Sequence, residues 1–310
     1  MRLFKNAKYD FLNQRRRAYV FSASLIVAGL VSIAGHGGLR AGVEFTGGTL
    51  IQVHLQKDGD VGALREALGS VGLATAQIQR FAGTNEFLLR VQALGSPEEA
   101  GVGSSSEVVE QALKERFGEG GFEVTRVEAV GPKVGGELQV KATYAILLSF
   151  LLTLIYLAFR FEWRFGVAAV VATVHDIVIT FGFISLFNIE ITLATVAAIL
   201  TIVGYSLNDT IVIFDRIREN MRKKRKEPYV DALNRSINET LPRTVLTSGT
   251  TLVALVSLFV LGGAVIRPFA LVLILGIAIG TYSSIFVASP ALLEIDTYGQ
   301  KRTKRARATG

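Results

Sequence analysis

Six apolar runs, each close to or beyond the length that crosses a bilayer, constrain this chain more than any other feature. They fall at 19–35, 142–159, 165–187, 191–214, 241–261 and 269–293. A helix of roughly 20 residues spans a hydrocarbon core of about 30 Å. Half of the residues are hydrophobic, too large a share for an ordinary water-soluble domain. The pattern predicts an α-helical polytopic membrane protein with six transmembrane helices. Arg15, Arg16 and Arg17 precede the first run, as basic residues precede a secretory signal. The stretch SIAGHGGLRAGVEF after it offers no clear small-residue cleavage site, and five more spans follow. The first run is therefore read as a retained anchor.

Several chemistries are absent from the sequence. There is no cysteine, so neither a disulfide nor a thiolate metal site can form. His36, His54 and His175 lie far apart and have no metal-ligand spacing. The glycine pairs Gly47-Gly48 and Gly135-Gly136 lack the Lys-Ser/Thr of a phosphate-binding loop. No catalytic constellation emerges, Glu44 and His54 being isolated. The chain is read as a non-enzyme with no metal and no cofactor.

Charge sorts the chain into sides. Residues 36–138 carry 9 Lys and Arg against 14 Asp and Glu, leaving 24 against 12 for the rest. The basic residues gather at 15–17, at Arg160 and Arg164, in 216–226 and in the tail KRTKRARATG. All of these fall on one side of a six-span arrangement, and the positive-inside rule makes that side cytoplasmic. The expected layout is a cytoplasmic N-terminus at 1–18, a first span at 19–35 and an extracytoplasmic α+β domain at 36–138. A bundle of five further spans follows at 139–295, with a cytoplasmic amphipathic segment at 215–240, and a basic tail occupies 296–310. Beside a final span, such a tail fits anionic membrane lipids or topology signalling better than nucleic acid. Within 36–138, alternating apolar residues predict strands at 49–55, 74–81, 86–94 and 122–130, with helices at 60–68 and 104–117. That β-α-β-β-α-β order is the ferredoxin-like split pattern, and the small polar stretch 95–106 reads as a flexible hairpin tip.

Two ionisable residues stand out at membrane depth, where such groups are costly and mark ion paths or proton relays. Asp209 precedes the interfacial Asp215 by six residues, about 9 Å at 1.5 Å per residue. Arg243 lies at a comparable depth on the next, antiparallel span. A nearby positive charge favours an ionised acid and desolvation favours a neutral one, so helix movement that separates the pair would couple to proton uptake. Asp176 and its neighbour His175, near the middle of the third span, are further relay candidates. Adjacent residues on a helix point in different directions, so these two are not expected to pair. Hydroxyl-bearing residues share the inner depth: Thr247, Ser248, Thr250 and Thr251 on the fifth span, and Thr281, Tyr282, Ser283 and Ser284 on the sixth. With Asn208 and Thr210 beside Asp209, they suggest a hydrated half-channel whose polar lining includes Asn208, Thr210, Thr247, Thr250 and Ser283. The spacing of Gly276 and Gly280 speaks instead for close helix packing.

Five motifs occur in order: GVEFTGGT at 42–49, VGPKVGGEL at 130–138, His175-Asp176, GYSLNDTIVIFDRIREN at 204–220, and Arg243-Thr244. Together they resemble the SecF family of protein translocase subunits, in the SecD/SecF group of the RND-like superfamily, across about 1–295. Glu44 stands where that family's Gly-Val-acid-Phe motif carries Asp. The resemblance implies half of a twelve-helix assembly, the other half being SecD. It implies a proton-motive-force-coupled accessory subunit of the bacterial Sec machinery in the inner membrane, with both termini cytoplasmic. Such a subunit acts with SecD on the SecYEG channel to promote late translocation and release of exported preproteins, with YajC and YidC as further candidate partners. It assigns proton transport to Asp209 and Arg243. Two alternatives stay open: half of an RND-type small-molecule or lipid exporter, and a non-conducting scaffold of the translocon.

Overall fold

A computed structural model describes residues 7–56, 59–81, 84–91, 104–223 and 227–308. The expected tip at 95–106 lies outside the described residues up to 103, as do 224–226 of the basic cluster. The chain divides into two compact units, Ala41–Ala145 and Met1–Arg40 with Ile146–Gly310. Helix α1 (Arg15–Gly35) opens the larger unit.

The smaller unit contains α2 (Val43–Thr46), β1 (Gly48–Leu55), α3 (Val61–Ser70), β2 (Gln77–Arg80), β3 (Glu86–Val91), α4 (Ser104–Phe117) and β4 (Phe122–Val130). The strands form one sheet in the order β2-β3-β1-β4, with every pairing antiparallel. This is the ferredoxin-like order. Period-two alternation sets the register: Ile51 faces Leu89 and Val53 faces Phe87. All four are buried together with Leu64 and Leu68 of α3 and Val109 and Leu113 of α4. Two glycine motifs meet at the edge of this core. A Cβ on Gly135 would come 3.0 Å from both Gly47 N and Phe45 O, so only glycine allows that approach. Gly47 itself has φ 75°, in the region where glycine alone is unstrained.

The larger unit contains the rest. Helix α5 (Pro132–Arg160) begins in the smaller unit and ends here. It is followed by α6 (Trp163–Leu186), α7 (Leu193–Lys223), α8 (Tyr229–Leu261), α9 (Gly263–Ser283), a π-helical turn Ser284–Ala288, and α10 (Ser289–Ala308). Among the described residues, six helical stretches are long and apolar enough to cross a membrane. They differ in packing. The most apolar windows of α6, α7 and the α9–α10 stretch are 56%, 56% and 61% buried, whereas that of α5 is 6% buried. The first three form the centre, and α5 presents an apolar surface suited to lipid or a partner.

Close helix contact in the centre depends on glycine. Gly29 of α1 and Gly182 of α6 meet so tightly that a Cβ on Gly182 would lie 2.8 Å from Gly29 Cα. A Cβ on Gly276 would strike the Ile202 side chain, and one on Gly280 would lie 2.8 Å from Ser206 Cβ. The packing role expected of Gly276 and Gly280 is thus met in the α7–α9 contact.

The segment read as amphipathic at 215–240 is shared between two long helices. Residues 215–223 continue α7, and 229–240 are the first turns of α8, which runs through Pro242 without a break. Ala232, Leu233, Ser236 and Ile237 of that stretch are buried, so packing against the bundle keeps the helix whole. Basic residues at this end are paired: Arg160 bonds Asp215, Arg164 bonds Asp296, and Arg216 Nε lies 2.5 Å from Glu239 Oε2.

Candidate functional site

Two carboxylates, Asp176 on α6 and Asp209 on α7, define the polar interior of the helical unit, while a third buried one, Asp296 on α10, pairs with Arg164. Asp176 and Asp209 are 1% and 3% exposed, yet their surroundings differ sharply.

Asp176 is enclosed by partners from two other helices and its own. Ser206 Oγ of α7 donates to Asp176 Oδ2 at 2.5 Å, and Ser283 Oγ of α9 donates to the same oxygen at 2.7 Å. Gly280 makes this possible, because it lets α9 lie against Ser206. On the other oxygen, His175 Nδ1 lies 2.9 Å from Asp176 Oδ1. The expectation that these neighbours do not pair is overturned. The imidazole is long enough to fold back over the carboxyl, and α1 fixes it there through Ser22 Oγ, 2.9 Å from His175 Nε2. The Gly29–Gly182 contact brings α1 close enough for that bond. The chain continues from Ser22 to the Tyr282 hydroxyl at 3.1 Å, and Tyr282 donates to Ala18 O at 2.8 Å.

Each hydroxyl in this chain has one hydrogen. Once Tyr282 donates to Ala18 O, Ser22 must donate to Tyr282, and His175 Nε2 must donate to Ser22. All of the bonds therefore form at once only when Asp176 and His175 hold a proton between them, either on the carboxyl or on Nδ1. Ser22 and Ser206 carry no signal in sequence, since a serine in an apolar run does not reveal which face it occupies.

Asp209 has a sparser setting. Ser248 Oγ of α8 donates to Asp209 Oδ2 at a long 3.3 Å, and Ser248 shares a 2.8 Å bond with Thr281 Oγ1 of α9. Arg243 is exposed. Among the described residues no ion pair joins it to Asp209. The remaining expected lining is scattered. Thr210 is buried and Asn208 exposed. Thr247 and Thr250 return their hydroxyls to their own helix, donating to Arg243 O and Leu246 O at 2.9 Å each. Ser283 belongs to the Asp176 cluster. Among the described residues, no group of His, Asp and Glu is arranged to hold a metal ion.

The description "Protein export membrane protein SecD/SecF, C-terminal" matches residues 108–298. The protein translocase subunit SecF of Gemmatimonas aurantiaca is 48% identical over 299 residues, 96% of this chain and 90% of that protein. SecF of Rhodothermus marinus is 45% identical over 314 residues, 99% of this chain and all of that protein. Among solved structures, that of SecDF, a translocon-associated membrane protein from Thermus thermophilus, superposes with a TM-score of 0.82 at 37% identity over 96% of this chain. A SecDF structure in a super-membrane-facing form gives 0.68 at 38% identity. The chain spans 40% of the length of each of these SecDF chains.

Proposed function

Because the chain belongs to the SecD/SecF family of protein-export membrane proteins, we propose that it acts as a proton-coupled accessory subunit of the bacterial Sec machinery. It is a multi-pass membrane protein with a role in Sec export. In the finer reading it resides in the inner membrane with both termini cytoplasmic. It pairs with a SecD subunit and uses proton flow to help the SecYEG channel release the exported chain. Asp209 is the carboxylate that exchanges the proton, and Arg243 is the charge whose approach or withdrawal sets whether Asp209 keeps it.

One observation carries this reading. Among the described residues, Asp209 is buried with a single long hydrogen bond, while the arginine on the next helix is exposed. A buried carboxylate this poorly partnered is costly, which fits a site completed by another chain. The solved SecDF chains are longer than this one, and this chain covers only part of them, consistent with a missing half.

The test is Asp209→Asn in vesicles holding this chain, its SecD partner and the channel. Proton flux and late-stage export should both fall by at least about a hundredfold and severalfold respectively, as expected when a proton-transfer group is removed. Unchanged flux and export at normal protein levels would leave a non-conducting scaffold as the correct reading.

A further inference from the structure

The buried face of α8 carries a hydroxyl at every fourth position: Ser236, Thr240, Thr244 and Ser248, which are 0%, 7%, 1% and 3% exposed. Residues four apart lie one above another on a helix, about 6 Å apart along the axis. The stripe joins two polar places. At its upper end Ser248 donates to Asp209. At its lower end Asn220 Nδ2 of α7 donates to Ser236 Oγ at 2.9 Å and to Glu239 Oε2 at 2.8 Å.

A row of small polar residues can be mere packing, and three of the four hydroxyls have ordinary partners. Ser236 and Thr240 donate to carbonyls one turn back, at 2.6 and 3.0 Å. Thr244 is the exception. Its Oγ1 is fully buried and, among the described residues, has no hydrogen-bond partner. A threonine in a helix has a carbonyl within reach at i−3 or i−4, so an orphan hydroxyl there is an anomaly. Left dry, it would cost about 1–3 kcal/mol. A water bonded to it would remove that cost and sit midway between Thr240 and Ser248.

We propose that Thr244 Oγ1 anchors an internal water, and that the Ser236–Ser248 stripe is the route by which protons reach Asp209 from the charged end of the bundle. This rests on the reading of Asp209 as the proton-exchanging carboxylate. The titratable and charged groups along the route are Glu239 and Arg235 on α8, Arg216 on α7 at the entrance, and Asp209 on α7 at the end. Arg243 is next to Thr244 in sequence, and α9 contributes the Thr281 hydroxyl. Hydroxyls about 6 Å apart exceed the reach of one hydrogen bond, so waters bridge each gap, and along the route each hydroxyl and water oxygen accepts one proton and passes one on. The last proton forms an O–H bond on an Asp209 carboxyl oxygen, and a water at the entrance is left as hydroxide to be neutralised by the bulk.

The experiment uses this chain reconstituted with its SecD partner in vesicles loaded with a pH-sensitive dye, under an imposed proton gradient. Thr244→Val keeps the shape and removes the hydroxyl. It should lower proton flux about tenfold, the size of one lost hydrogen bond, and Thr244→Ser should recover most of the flux. A structure of the complex that resolves water should show one within hydrogen-bonding distance of Thr244 Oγ1. Asp209→Asn, measured alongside, separates the two claims. If it abolishes flux while Thr244→Val matches the unmodified protein, the route is wrong and the role of Asp209 stands. If Asp209→Asn leaves flux intact, both are wrong. Equal losses in Thr244→Val and Thr244→Ser would assign the effect to packing and overturn the route.

Discussion

Asp176 and Asp209 are both carboxylates buried in the same helical unit, but one is saturated with partners and the other is not. Asp176 accepts bonds from Ser206 and Ser283 and pairs with His175, which α1 holds through Ser22. Asp209 has Ser248 at 3.3 Å and an exposed arginine nearby. A buried polar network that is fully satisfied rigidifies and specifies a core, whereas a partly satisfied one is unstable until something completes it. The contrast teaches that a carboxylate in a membrane span does not declare its task by burial alone. The partners differ: Asp176 and His175 together tie α1, α6, α7 and α9 to one another, whereas the proposed proton exchange is assigned to the sparsely bonded Asp209.

This contrast can be broken most easily at Asp176. Asp176→Ala strands two serine hydroxyls and an imidazole in the interior. It should cost about 3 kcal/mol or more, from buried donors worth roughly 1–3 kcal/mol each, measured by denaturant unfolding in detergent. A loss under about 1 kcal/mol would mean the cluster is not a clamp. The next largest effect belongs to Gly182→Ala. Its Cβ would meet the Gly29 backbone at 2.8 Å, and overpacking of this kind costs about 1–3 kcal/mol. Because the backbone of α1 must move away, the His175–Ser22 bond should break as well, visible in the ring resonances of His175.

Asp209→Asn should change stability by less than about 1 kcal/mol, since the amide oxygen can still accept the long hydrogen bond from Ser248. A larger loss would place Asp209 with Asp176 as a structural group. Thr250→Val is the smallest change. The Thr250 side chain is exposed and bonded only to its own helix, so its replacement should stay within about 0.5 kcal/mol and leave proton flux unaltered. A clear loss of flux would restore Thr250 to the channel lining.

The six spans and the strands of the smaller unit were readable because hydropathy and period-two alternation are properties of consecutive residues. Asp209, Asp176 and Arg243 were readable because charge in an apolar run is costly wherever the helix packs. The hydroxyls were not separable in this way. Thr250 and Ser248 share one helix and one depth, yet Ser248 reaches Asp209 and Thr250 faces outward, and only helix rotation distinguishes them. Ser22 was invisible for a stronger reason: its role depends on a contact between residues more than 150 positions apart. The pairing of His175 with Asp176 escaped because helix geometry separates adjacent backbones, while a long ring can still fold back. Arg243 shows the converse limit: on the proposed reading another chain completes it, so its own sequence does not reveal its partner.

The most direct test of the central claim is infrared difference spectroscopy of this chain with its SecD partner, recorded between neutral and acidic pH. On this claim, a carbonyl band from a newly protonated carboxyl should vanish in Asp209→Asn and persist in Asp176→Asn. A band that persists in Asp209→Asn and vanishes in Asp176→Asn would contradict it.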